Sequence, residues 1–188
     1  DAPEGLFYRY TPDAYPDLSS GTLEAAIVAA DGSVTWGEVA DQVRRMAAHL
    51  KSLKLEPGTR IALLAKNTAQ WMMADWAIWM AGHVSVPLYP TLAANTVRQI
   101  LEHSESKLLF VGKLDVWEEM KPGVPAGLPI ITLPLAPNVP GAAKWDEIIA
   151  KTSPMTESPL RGADELSTLI YTSGTTGQPK GVCLDAGV

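Results

Sequence analysis

Leu166-Ser167-Thr168-Leu169-Ile170-Tyr171-Thr172-Ser173-Gly174-Thr175-Thr176-Gly177-Gln178-Pro179-Lys180-Gly181-Val182-Cys183-Leu184 divides into three parts by composition. The first six residues are rich in strand formers, and the last four are apolar and too short for a helix. The stretch therefore predicts strand, loop, strand. The loop crowds four hydroxyl side chains and two glycines into positions 172–177, with Lys180 three residues further on. Glycine allows positive φ and close backbone approach, so successive N–H groups can converge on an anion. The hydroxyls add donors, and the lysine adds a charge suited to phosphate oxygens. Thr172, Ser173, Gly174, Thr175, Thr176, Gly177 and Lys180 are the candidate polyphosphate-binding residues. Their spacing differs from the G-x-x-x-x-G-K-[ST] loop, in which lysine follows glycine directly and opens a helix. Without a helix behind it the loop lacks that dipole, so lysine and hydroxyls carry more of the charge. A surface turn is the ordinary alternative for a Gly/Ser/Thr loop. Here the length of the string favours phosphate.

Upstream, strand and helix patterns alternate. Residues 25–29 and 33–35, around Asp31-Gly32, predict a small hairpin with an Asp-Gly turn. Thr35 and Glu38 form a capping-box pattern that opens a helix to about Leu53. Trp36, Val39, Val43, Met46, Ala47 and Leu50 follow at helical spacing. Pro57-Gly58 ends the connection, and residues 60–64 read as a buried strand. The apolar run 71–82 predicts a core helix, capped by Asn67 with Gln70 three positions on and closed by Gly82. Strands at 84–86, 107–111 and 128–133 then alternate with helices at 94–103, 114–120 and 144–151. Such alternation implies right-handed crossovers and a largely parallel sheet covered on both faces, an α/β architecture. Residues 1–20 hold three prolines and four aromatics without periodicity and read as an irregular arm. From 134 to 161 five prolines mark a surface connection rather than a domain linker.

Composition excludes several classes. Of 188 residues, 15 are Lys or Arg and 21 Asp or Glu, a net charge of −6 with no basic patch, which argues against a nucleic-acid partner. The single cysteine, Cys183, has no internal disulfide partner, so a reducing cytoplasm is the expected setting. As a small apolar residue on a strand, it is expected to be buried. The run 71–82 carries Asp75 and falls short of the ~20 residues needed to span a bilayer, so no integral membrane segment is expected. Its tryptophans and methionines fit a helix buried by the sheet better than a surface for peripheral contact with a membrane or an acyl chain. His49, His83 and His103 have no partner at metal-ligand spacing, and nothing gives them base–orienter geometry.

Tyr171-Thr172-Ser173-Gly174-Thr175-Thr176-Gly177-Gln178-Pro179-Lys180-Gly181-Val182 resembles the phosphate-loop signature of the adenylate-forming superfamily. That superfamily includes acyl-CoA synthetases, peptide-synthetase adenylation domains and luciferase. Gly82-His83-Val84-Ser85-Val86-Pro87-Leu88-Tyr89-Pro90-Thr91, Ile100-Leu101-Glu102-His103-Ser104 and Lys107-Leu108-Leu109-Phe110-Val111-Gly112-Lys113-Leu114 are similar to long-chain fatty acyl-CoA synthetases in particular. The resemblance runs from about residue 34 to 182. It implies that residues 21–188 are the N-terminal part of the large ATP- and acyl-binding domain, ending just after the phosphate loop, with the C-terminal domain outside the chain.

The implied reaction joins a fatty acid to ATP, giving an acyl-adenylate and pyrophosphate, and CoA then displaces AMP. ATP, Mg²⁺ and CoA are the implied cofactor and co-substrates. By the same resemblance, positions 172–177 close over the β- and γ-phosphates, Lys180 supports the loop and its charge, and the catalytic residues lie beyond this chain. The fragment alone is expected to be inactive. Relatives often carry a histidine shortly after Lys-Gly-Val, and here Cys183-Leu184-Asp185 follows instead. Two alternatives stay open: a non-catalytic nucleotide-binding or interaction module, and an adenylation domain for another carboxylic acid.

Overall fold

Thr35 does cap the first long helix. Its hydroxyl accepts from the Glu38 N–H at 3.2 Å, while the Glu38 carboxylate accepts from the Thr35 N–H at 2.8 Å. This reciprocal box satisfies donors that a helix start leaves open, and α1 runs Trp36–Ser52. The computed structural model describes residues 27–29, 32–157, 159, 161–173 and 179–187, so the predicted arm at 1–20 lies outside the described residues. Ahead of α1, β1 (Ile27–Ala29) and β2 (Gly32–Val34) pair antiparallel. The hairpin is where it was expected, but Gly32 pairs with Ala29 inside the strand. The position of Asp31 in the predicted turn lies outside the described residues.

The remaining elements are β3 (Arg60–Leu64), α2 (Ala69–Met80), β4 (Val84–Leu88), α3 (Ala94–His103), β5 (Leu108–Val111) and α4 (Trp117–Met120). After them come β6 (Ile130–Thr132), β7 (Ala143–Lys144), α5 (Trp145–Lys151), β8 (Leu166–Ser173) and β9 (Pro179–Asp185). One sheet takes the order β7-β6-β5-β3-β4-β8-β9, and every neighbouring pair is parallel except β8–β9. This is the largely parallel α/β sheet that the alternation predicts.

Successive strand residues face opposite sides, and the core divides accordingly. Ile61, Leu63, Leu108, Phe110, Ile131 and Leu133 pack with α1, α2 and α5 on one face. Ala62, Leu64, Val86, Leu88, Leu109 and Val111 pack with α3 and α4 on the other. Burying both faces explains why these strands read as unbroken apolar runs.

Several boundaries move for local reasons. The α2 cap is Thr68, not Asn67, because the Thr68 hydroxyl is the one that accepts the Trp71 N–H, at 3.1 Å. Gly82 follows the helix end at φ +85, a conformation that only glycine adopts cheaply. The segment 114–120 is helical only from Trp117 and tightens into a 3₁₀ turn at Lys121–Gly123, where Pro122 removes a donor. There Gly123 meets the start of α3 so closely that a Cβ would lie 2.0 Å from the Ala94 carbonyl oxygen. Lys144 belongs to β7 rather than to α5. Cys183 is exposed, contrary to the burial expected of it, because β9 is the edge of the sheet.

Candidate functional site

The strands β3, β4, β5 and β8 run parallel, so their carboxyl ends share one edge of the sheet. From β3 the chain crosses to α2 on one face, and from adjacent β4 it crosses to α3 on the other. Such a switch point opens a crevice at the carboxyl edge, where open α/β sheets hold their ligands. β8 delivers Thr172 and Ser173 to this edge, and β9 starts back from it at Pro179.

The register of that antiparallel pair fixes the two ends of the glycine loop. Thr172 stands directly opposite Lys180, and Ser173 opposite Pro179. Directly opposed residues share a sheet face with Cβ atoms ~5 Å apart, so the first hydroxyl and the lysine of the motif form one rung. Both are exposed. Among the described residues, no carboxylate forms an ion pair with Lys180. Its charge is therefore available to an anion. The structure thus brings together Thr172 and Lys180 and places the Ser173 backbone beside them. Gly174, Thr175, Thr176 and Gly177 lie outside the described residues.

The other face of the same ribbon carries a pair that sequence reasoning missed. Tyr171 is 4% exposed, and its hydroxyl lies 2.6 Å from Nδ1 of exposed His103 at the end of α3. Tyr89, Thr91, Leu92, Thr96 and Ile100 continue from Tyr171, Thr172 and Pro179 as a groove between the β4–α3 turn and the ribbon. The only available signal was indirect: an inward tyrosine on a loop-bearing strand needs a partner for its hydroxyl.

The approach to β8 is held by Arg161, which donates to the His83 carbonyl at 2.8 Å and the Leu166 carbonyl at 2.9 Å and meets Glu165 at 3.1 Å. The Gly162 N–H, which donates to the Glu165 carboxylate at 3.1 Å, and then the Arg161 bond keep that carboxyl below its usual range. Behind the ribbon, burial pushes the Asp75 carboxyl up to about 6, outweighing the opposing influence of Ser85. Burial likewise lowers His83, helped by the nearby Arg161 charge. No group of three or more metal-ligating side chains occurs among the described residues.

The AMP-binding enzyme family matches residues 21–187. The chain belongs to that family. It is 36% identical over 155 residues to the long-chain-fatty-acid–CoA ligase FadD15 of Mycobacterium tuberculosis, covering 79% of this chain and 26% of that protein. Over 174 residues it is 34% identical to the 3-methylmercaptopropionyl-CoA ligase of Ruegeria lacuscaerulensis, covering 86% and 32%. The fold matches the benzoate CoA ligase of Burkholderia xenovorans LB400 with a TM-score of 0.72 at 24% identity, over 85% of this chain and 31% of that one. It also matches the acetoacetyl-CoA synthetase of Streptomyces lividans with a TM-score of 0.72 at 26% identity, over 83% and 26%. This family chain therefore spans 26% to 32% of the length of those relatives.

Proposed function

We propose that this chain is the loop-bearing part of an AMP-forming fatty acid–CoA ligase. The observation that carries this reading is the Thr172–Lys180 rung at the carboxyl edge of a parallel sheet, bracketing a loop of hydroxyls and glycines. Membership of the AMP-binding enzyme family supports it, and the long-chain specificity named for one relative favours a fatty acid.

In the first step a carboxylate oxygen attacks the α-phosphorus of MgATP, and the bond to pyrophosphate breaks. The hydroxyls of Thr172, Ser173, Thr175 and Thr176 donate to the β- and γ-phosphate oxygens, as do the N–H groups of Gly174 and Gly177. The Lys180 ammonium offsets the charge that grows on the departing pyrophosphate. Groups already aimed at developing charge stabilise the transition state more than the ground state, which is what accelerates the step. In the second step the CoA sulfur attacks the acyl carbon and AMP leaves. A loop that closes over the phosphates and reopens would exclude water and then release product. Both steps also need groups that bind adenine, ribose, acyl chain and CoA, none of which this reading assigns within residues 1–188, so residues 1–188 alone should catalyse neither step. The setting is cytoplasmic on this reading, and Mg²⁺ arrives with ATP.

The test is carboxylate-dependent ATP–pyrophosphate exchange by the complete polypeptide that carries this chain, with acids from acetate to long-chain. Exchange confined to long-chain acids is expected. Exchange with aryl or amino acids instead would move the reading to another carboxylate. Nucleotide binding without exchange would leave a binding module.

A further inference from the structure

We propose that His103 is a positioning residue for the phosphate loop, acting through Tyr171; the proposal deepens the ligase reading above and rests on it. Tyr171 immediately precedes the Thr172–Lys180 rung and stands opposite Gly181. A Cβ on Gly181 would come 3.4 Å from Cζ of the Tyr171 ring and 3.0 Å from Leu169 Cδ1. The ring therefore fills the space over Gly181 and touches both stems of the loop, one through its own backbone and one by packing.

What holds the ring in place is its far end. The hydroxyl is 2.6 Å from His103 Nδ1, and the two rings meet edge to face with centroids 5.6 Å apart. Burial, with a smaller push from Cys183, raises the Tyr171 phenol above its usual range. The hydroxyl thus keeps its proton, and the bond joins it to Nδ1 with the donor set by the imidazole tautomer.

His103 is itself well anchored. The body of α3 is fixed by buried Val97, Ile100 and Leu101. The carbonyl just past its end, Ser104, accepts from Arg60 Nε at 2.7 Å. Rigid helix, imidazole, phenol and glycine form one chain of contacts from the sheet to the root of the loop. A site held this way keeps its geometry without spending loop entropy at each turnover.

The role is distinct from packing because it depends on one hydrogen bond and one atom position. Tyr171→Phe keeps the ring and loses the bond. His103→Ala loses the hydroxyl's partner, and His103→Asn replaces it with an amide, which offers both an acceptor and a donor close to the Nδ1 position. In the complete polypeptide, His103→Ala and Tyr171→Phe should each lower the exchange kcat about tenfold, a typical cost of slight misplacement. KM for the carboxylate should stay within about twofold, because a positioning defect of this kind acts on the step rather than on binding. His103→Asn should restore most of the rate, and the double variant should be no slower than either single, as expected of residues acting as one unit.

Unchanged exchange in His103→Ala, failure of the asparagine to rescue, or multiplying effects in the double variant would each overturn the proposal. Amide hydrogen exchange of β8 and β9 provides a readout independent of activity. It should quicken in both single variants while α1 and α2 keep their protection. Wild-type protein without pyrophosphate exchange would end the ligase reading, and the amide exchange of the two stems would still decide whether His103 fixes the loop. Equal protection in variant and wild type would then refute it.

Discussion

The middle of the sheet and its β8–β9 edge are built on opposite plans. β3, β4 and β5 are short, parallel and covered on both faces, and Ile61, Ala62, Leu63, Leu64, Val86, Leu109, Phe110 and Val111 are wholly buried. β8 and β9 form a long antiparallel ribbon at the edge, with Val182 45% exposed and Cys183 open to solvent. Stability resides in the first region, and the proposed anion site lies on the second. The difference teaches that an exposed ribbon can carry the proposed phosphate site only because a scaffold beside it supplies the folding energy. Substitutions in the scaffold should therefore move stability, and substitutions on the outer ribbon should move rate.

The largest effect is expected at Phe110, which is fully buried and meets Trp145 edge to face at 6.3 Å between centroids. Phe110→Ala should destabilise the chain by about 4 kcal/mol in denaturant unfolding, the usual cost of a large cavity. A loss under about 1 kcal/mol would mean that the scaffold is loosely packed. Next comes Lys180→Ala, which should lower pyrophosphate exchange by the complete polypeptide about a hundredfold, as for loss of one group aimed at developing charge. Its unfolding midpoint should stay at the wild-type value, since Lys180 is exposed. If the midpoint dropped as well, the separation between scaffold and ribbon would fail at the ribbon.

Much of this division was legible in the sequence, and the exceptions have physical causes. The capping box at Thr35 and Glu38, the strand at 60–64 and the helix at 94–103 came through because period and end signals agreed. The α2 boundary slipped by one residue because Asn67 and Thr68 are both good caps, and only the backbone decides which hydroxyl or amide meets the Trp71 N–H. β7 is two residues long and leaves no period to read. The rung Thr172–Lys180 follows from a strand–loop–strand reading, whereas His103–Tyr171 joins residues 68 positions apart and no spacing rule reaches it. Cys183 was misjudged because type suggests burial, while edge position decides it.

A smaller effect, opposite in sign, is expected at Asp75, a buried residue of α2 in the scaffold at 8% exposure. Its carboxyl is raised from 3.8 to about 6. The folded protein therefore binds this proton more tightly than the unfolded chain. The associated stability is complete below pH 3.8 and is lost as pH rises through about 6. At pH 7 the buried carboxylate opposes folding by on the order of 3 kcal/mol, from the size of that shift. Asp75→Asn should remove most of this penalty, raising the midpoint at pH 7 and leaving it near wild type at pH 3.5. Because the comparison is between variant and parent at each pH, the titration of buried His83 cancels. An Asn variant no more stable at pH 7 than at pH 3.5, relative to wild type, would mean that Asp75 is solvated.

The sharpest probe of the contrast is one substitution made in both the centre and the edge of the sheet. Val86 is fully buried in β4, and Val182 is 45% exposed in β9. Valine to threonine keeps the branch at Cβ and the strand preference and exchanges one methyl for a hydroxyl. At Val86 that hydroxyl is buried among Ala62, Leu64 and Leu88 and should cost about 1–3 kcal/mol. At Val182 it can meet water, and the change should stay within about 0.5 kcal/mol. Equal costs at the two sites would show that the outer face of the ribbon is covered in solution. A near-zero cost at Val182 alone would leave that face open, so the distinction between centre and edge would rest on burial and not on strand propensity.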